Sequence, residues 1–417
     1  MMLPEMSDHQ LVDLLLCQDN PEERVSTLQA FSPAHWKRVQ VWAKQLGVRA
    51  LVYARLKRGQ ITELPPTDVL EDLKQPYLVN LARNVIFLEA AGHHLECLKK
   101  AGLHVAGLKG VFLLENIYED IGERHLGDID FLMPKPELAV GLAYFQSLGY
   151  EMATYFDLTD PNMDIKHVPP LSHEGKPVVE LHWNLLEADE PFSIAIEPVW
   201  QRVVAAQIAG EAAYALCPED LIAHLSLHFT FQHSMDMGLR GLVDLDRVIR
   251  HYHDEIDWQK LGAIAKDWSA QRPVWLGLSL ADEWFHSPVP DSILNDLKPE
   301  GAQTVLDLAN EILFGEKPVG WVLTPDLAKL AENKRITSKF YLFWERVFIP
   351  KGNLSRLYGV SPRSMLIYWF YIRRLVDIIG AYWKPALRVM CIDRDSSDAI
   401  KRQYTINELH AWLGRQA

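Results

Sequence analysis

Asp128 and Asp130 stand two residues apart inside the apolar run Leu126–Met133, and no other stretch of the chain restricts its fold as tightly. Successive side chains of a strand leave opposite faces. The two carboxylates therefore share one face, while Ile129, Phe131 and Met133 turn the other way into a core. Like charges so placed repel each other and are costly to desolvate. A divalent cation such as Mg²⁺ removes both costs, because it takes hard oxygen ligands. An edge strand with solvated aspartates satisfies the same spacing, so the neighbouring residues must decide.

Upstream, Gly102–Lys109 reads as a short apolar strand, and Gly110 opens a helix with Val111, Leu114, Ile117 and Tyr118 at helical spacing. A helix N-terminus offers free N–H groups and partial positive charge, which suits a phosphate. Lys109 adds a full charge at that mouth. Arg124 lies in the loop entering the Asp128–Asp130 strand. Taken singly, Lys109 and Arg124 are ordinary surface cations. Together with paired aspartates they are the parts that hold a Mg²⁺–nucleoside triphosphate.

Leu108-Lys109-Gly110, a helix, and then Arg124 four residues before Asp128-Ile129-Asp130 resemble the DNA polymerase β-like nucleotidyltransferase superfamily. The chain looks closest to the bacterial uncharacterised nucleotidyltransferase family and to related abortive-infection-type transferases. Those proteins carry Lys-Gly where polymerase-type members carry Gly-Ser. Val178–Trp183 is similar to the family's later strand, which ends in Glu-Leu-His-Trp. The resemblance covers roughly residues 80–290.

That later strand is β-branched and apolar, bounded by Pro177 and Asn184. It puts Glu180 and His182 on one face and Val179, Leu181 and Trp183 on the other. Paired beside the Asp128–Asp130 strand, Glu180 becomes a third carboxylate. The superfamily's third acid helps bind metal and can activate an attacking hydroxyl. His182 positions phosphate or acceptor, or else is a hydrogen-bonded, half-buried histidine.

The rest of the chain supplies the frame. Its 417 residues suffice for on the order of two or three domains. We divide it into an N-terminal helical region (1–67), a nucleotidyltransferase core (68–216), a helical domain (217–390) and a C-terminal tail (391–417). The core order β–α–β–α–β–β–β, with strands over Glu151–Phe156 and Met163–Val168, a turn at Asp160–Asn162 and a hairpin turn at Ser172–Gly175, predicts a small mixed sheet. The fold class is α+β, the sheet being flanked by N-terminal and C-terminal helical regions. The Met163–Val168 strand brings Lys166 and His167 beside the site. Beyond Trp183 the chain reads as helical, and 257–345 continues as helices with aromatic faces.

A formal net charge of −13 argues against broad contact with nucleic-acid backbone, though not against a small patch for one nucleotide or a tRNA end. Cys17, Cys97, Cys217 and Cys391 stand far apart, which fits a reducing compartment and no structural zinc. The N-terminus shows no signal pattern, so we expect a cytoplasmic protein.

In the helical domain, His224 and His228 are i, i+4 neighbours, a spacing that can hold zinc if Asp244, Asp246 or His233 supplies a third ligand. Leu239–Leu245 resembles a segment of the related family. We therefore read His228, Arg240 and Asp244 as a buried polar network bracing helices against the sheet, with Arg240 alternatively reaching a nucleotide phosphate. Met365–Trp383 is the most apolar window, but Arg373, Arg374 and Asp377 interrupt it, which is expensive in a bilayer. It reads as a core helix or as an amphipathic segment resting on a membrane surface.

The resemblance implies the following chemistry. Asp128, Asp130 and Glu180 hold one or two Mg²⁺ ions. Lys109 and the Gly110 helix mouth bind the β- and γ-phosphates of a nucleoside triphosphate, ATP or another, with Arg124 assisting. Glu180 orients or deprotonates an acceptor hydroxyl, and pyrophosphate leaves. The acceptor is a small molecule, a protein side chain or a tRNA end. Two other classes stay open: an inactive nucleotide-sensing or partner-binding protein of the same fold, and a metal-dependent hydrolase built on His224 and His228.

Overall fold

The structure is a computed structural model that describes residues 6–17, 21–152, 154, 156, 158, 165–315, 347–349, 351–360, 363–390 and 394–415. Its centre is a seven-stranded mixed sheet in the order β3-β4-β5-β2-β1-β7-β6. The strands are β1 Ala106–Gly107, β2 Ile129–Leu132, β3 Glu151–Met152, β4 Leu171–Ser172, β5 Val179–His182, β6 Val204–Ile208 and β7 Glu211–Ala215. Helices flank the sheet on both sides in sequence, so the architecture is α+β.

Two relationships position the site. β2 runs antiparallel to β1 and parallel to β5. Parallel pairing to β5 sets Asp130 opposite Glu180 and Leu132 opposite His182. The other face is apolar throughout: Ile129, Phe131, Met133, Val179 and Leu181 are all fully buried. A slip of one residue would turn that whole set outward, so burial fixes the register.

The N-terminal helices Pro33–Gln45 and Arg49–Arg58 pack on one 34-residue helix, Thr67–Lys100. Ser32 caps the first, its hydroxyl accepting from the His35 N–H, with Pro33 at the first helical position. On the C-terminal side, Pro218–Leu227 and Arg240–His251 both pack on the buried helix Gln271–Phe285.

The expectation that the chain is helical beyond Trp183 is corrected by β6 and β7. They form an antiparallel hairpin, and β7 joins β1 in parallel. Ala209 and Gly210, at φ 52° and 77°, make the left-handed two-residue turn that matches strand twist. The hairpin is alanine-rich, and alanine favours helix locally; pairing against β1 overrides that preference. Of the expected strand Glu151–Phe156, Glu151–Met152 is a strand and Thr154 and Phe156 are not, while residues 153 and 155 lie outside the described residues. The expected turn at Asp160–Asn162, the start of the expected strand at Met163, residues 316–345 of the expected helical stretch and Cys391 also lie outside the described residues.

Candidate functional site

The site begins where β1 turns into the helix Lys109–Asn116. Lys109 makes the corner with a φ of 35°, an unusual conformation for a residue with a side chain. Gly110 follows in a tight place: a Cβ there would overlap Leu126 Cδ1 and press on Arg124 Nη1 at 3.2 Å, so the tips of both side chains would have to shift. The helix mouth is thus held against the loop that delivers β2.

The Lys109 ammonium lies 3.6 Å from Asp130 Oδ2. His182 Nε2 lies 2.9 Å from Asp130 Oδ1 and 3.3 Å from Glu180 Oε2. Burial pushes the Asp130 carboxyl up, but Lys109 and the His182 hydrogen bond outweigh it and hold the group well below the usual carboxylate range. Burial likewise works against ionised Glu180, and hydrogen bonding to His182 together with His167 reverses the shift. Among the described residues, one group of three or more His, Cys, Asp or Glu side chains has ligand atoms all within 4.8 Å of one another: Asp130, Glu180 and His182.

Asp128 stands just before β2, partly buried and outside that tight group. Burial, then the charges of Asp130 and Glu180, raise its carboxyl to about 6, against the pull of Lys109 and Arg124. The three acids therefore share one electrostatic neighbourhood whose negative charge the protein itself does not fully offset.

Arg124 is placed differently from its expected phosphate contact. Its Nε and Nη2 donate to Asp244 Oδ1 and Oδ2 at 2.8 and 2.9 Å, and Nη1 donates to the His125 carbonyl. Tyr118 donates to the same Asp244 at 2.6 Å. This buried bidentate pair ties the loop before β2 to the Arg240–His251 helix. The expected brace of His228, Arg240 and Asp244 is corrected accordingly: Asp244 braces through Arg124 and Tyr118, while His228 Nε2 faces His233 Nε2 at 3.0 Å. Arg240 lines a cavity of about 260 Å³ beside Arg124 and His125, with its Nε buried and without a hydrogen-bond partner.

The structure also groups His224 and His228, whose spacing in sequence suggests zinc ligands or, for His228, a brace, with Lys166, expected beside the site. Past Leu227 the helix widens into a π-turn, His228–Gln232, a distortion frequent at functional sites. His224 is 1% exposed, and neither of its ring nitrogens has a partner. Burial holds it well below the ordinary imidazole value, and the charges of Lys109 and Lys166 add to that. Lys166 itself is depressed by burial and by Lys109. Lys109 and Lys166 thus lie close enough to His224 and His228 to hold both imidazoles low, and the charge of Asp130 pulls His224 the other way. His224, His228 and His233 do not draw in Asp244 or Asp246: Asp244 holds Arg124, and Asp246 holds Arg250 and Ser287. The i, i+4 histidine spacing was visible in sequence, but the side of the sheet it faces was not.

The family described as uncharacterised nucleotidyltransferase matches residues 32–286. That span is more than half of the chain, which belongs to this family. No curated protein and no solved structure matches it.

Proposed function

From membership in a nucleotidyltransferase family and the pairing of Asp130 with Glu180, we propose that the protein moves a nucleoside monophosphate from a nucleoside triphosphate to an acceptor hydroxyl, using a divalent cation, with Mg²⁺ favoured. The observation that carries this reading is the cross-strand set Asp130–His182–Glu180 beside Lys109.

The donor set fits a hard cation. Asp130 and Glu180 supply carboxylate oxygens within a ligand's reach of each other, and Asp128 adds a carboxyl raised by burial and then by the charges of those two acids. His182 acts as an N–H donor that holds Asp130 in place, and we assign it that positioning role rather than a direct ligand role. Bound there, the cation would offset charge on the reacting phosphate oxygens.

Lys109 and the N–H groups of the Lys109–Asn116 helix bind the outer phosphates. Lys166 and Arg240, together with neutral His224, supply further contacts to the anion. Glu180, next to His182 and His167, takes the proton of the acceptor hydroxyl as that oxygen attacks the α-phosphorus. The bond to the leaving phosphate oxygen breaks and pyrophosphate departs. Arg124 acts at one remove, through Asp244, by fixing the loop that carries Asp128.

The test is to incubate the protein with each of the four α-³²P nucleoside triphosphates, Mg²⁺ and cell extract, and to identify the labelled product. Label on an acceptor, lost with Asp130→Asn, supports transfer. Nucleotide binding without label or pyrophosphate from any acceptor class, whether sugar, antibiotic, tRNA end or protein, would show a nucleotide sensor instead.

A further inference from the structure

The first turns of the helix Ile367–Met390 pack through one side and leave the other bare. Ile367 is 1% exposed, Tyr371 donates to the Ile349 carbonyl, and the neighbouring helix Lys351–Tyr358 buries Leu354. Met365, in the turn just before the helix, leads into Trp369, Ile372 and Val376 on the opposite side, which stand at steps of three and four residues and form one stripe. Their exposures are 81%, 54%, 64% and 63%. Leu366 and Tyr368 widen the stripe, at 62% and 52%. At 100° per residue the helical members, from Tyr368 to Trp369, span about 100°, and Met365 and Leu366 extend that apolar face through the turn just before the helix.

Charge separates the candidate occupants. Residues 347–380 contain five basic side chains, Lys351, Arg356, Arg363, Arg373 and Arg374, and one acidic, Asp377, in a chain whose net charge is −13. A second copy would bring the same positive charge to the contact and be repelled. An anionic surface with an apolar layer beneath it satisfies both the charge and the arc. Trp369 and Tyr368 are the residue types that settle at such a boundary, and Lys and Arg beside them attract anionic headgroups. Spanning is excluded for the described residues, since no helix is long and apolar enough to cross a membrane.

We propose that the exposed face of the Met365–Val376 segment docks the protein onto an anionic lipid surface, with the apolar stripe entering the headgroup–acyl boundary and Lys351 and Arg373 contacting headgroups. This surface is independent of the nucleotide site.

The test is cosedimentation of the full chain with vesicles of phosphatidylcholine alone and of phosphatidylcholine with phosphatidylglycerol, at low and high salt, alongside light scattering without lipid. The wild-type protein should sediment with the anionic vesicles, at least tenfold more than with neutral ones, and high salt should weaken it. Trp369→Glu with Ile372→Glu should lose at least tenfold of that binding, while circular dichroism and melting temperature stay at the wild-type values. Arg373→Ala, a milder change, should weaken binding to anionic vesicles selectively. The proposal is overturned if the wild-type protein ignores anionic vesicles, or if the folded double variant binds them equally well. It is also overturned if the face instead drives dimerisation that the double variant abolishes, or serves only to capture an acidic protein.

Discussion

Asp130 and Glu180 are cross-strand neighbours on parallel strands, and the Nε2 of His182 sits between them, 2.9 Å from one carboxylate and 3.3 Å from the other. Residues 52 positions apart in sequence, Asp130 and His182, thus share a hydrogen bond. The pairing concentrates acid at one edge of the helix mouth, and each prediction below follows from that placement or from its supports.

Asp130→Asn removes the charge while keeping the shape. Nucleotidyl transfer should fall by about 10³-fold or more, the scale seen when a preorganised electrostatic group is lost. The melting temperature should also fall, because the neutral amide leaves the nearly buried Lys109 ammonium without its carboxylate partner. Label transfer from an α-³²P nucleotide and a thermal melt check the two halves.

Burial and the charges of Asp130 and Glu180 raise the Asp128 carboxyl to about 6 in the folded protein, from its ordinary value of 3.8. A raised carboxyl favours the folded state when protonated, so this contribution is present at low pH and lost as pH rises through 6. Asp128→Asn should therefore stabilise the metal-free protein at pH 7.5 by about 1–3 kcal/mol, and the gain should vanish near pH 4. Divalent-ion affinity should run the other way. It should fall about tenfold per pH unit below 6, since the cation needs the ionised form. Denaturation and Mn²⁺ titration across pH 4.5–7.5, the latter repeated with chelator as the blank, measure both trends.

Asp244→Ala strands the buried guanidinium of Arg124 and the Tyr118 hydroxyl. Breaking one side of a buried pair costs about 3–5 kcal/mol. Arg124→Met combined with Asp244→Leu should cost less than the sum of the two single changes, because neither charge is left alone. Urea unfolding of the singles and the double closes that cycle.

His224→Leu should be neutral or stabilising in the free protein, since both ring nitrogens lack partners there. The same change should weaken Mg²⁺–nucleotide binding by about tenfold, the loss of one hydrogen bond to a charged group at its lower end. Melting curves with and without nucleotide report both effects. An unchanged nucleotide response in a folded variant would remove His224 from the site.

What the sequence by itself determined is local. Alternation across Asp128–Met133 and Val178–Trp183 fixed which side chains share a face, because strand periodicity and apolar burial leave one choice. The Lys109-Gly110 corner was legible because a strand followed by a helix must place its first N–H groups at the turn. Tertiary structure decided what faces what. Arg124 could be read as a phosphate ligand until folding put Asp244 in bidentate reach, and a buried guanidinium takes the carboxylate that packing offers. The β6–β7 hairpin could not be seen because its alanines prefer helix until β1 supplies an edge. His224 and His228 showed their spacing but not their direction, since helix periodicity says which residues are neighbours and says nothing of the surface against which the helix will pack.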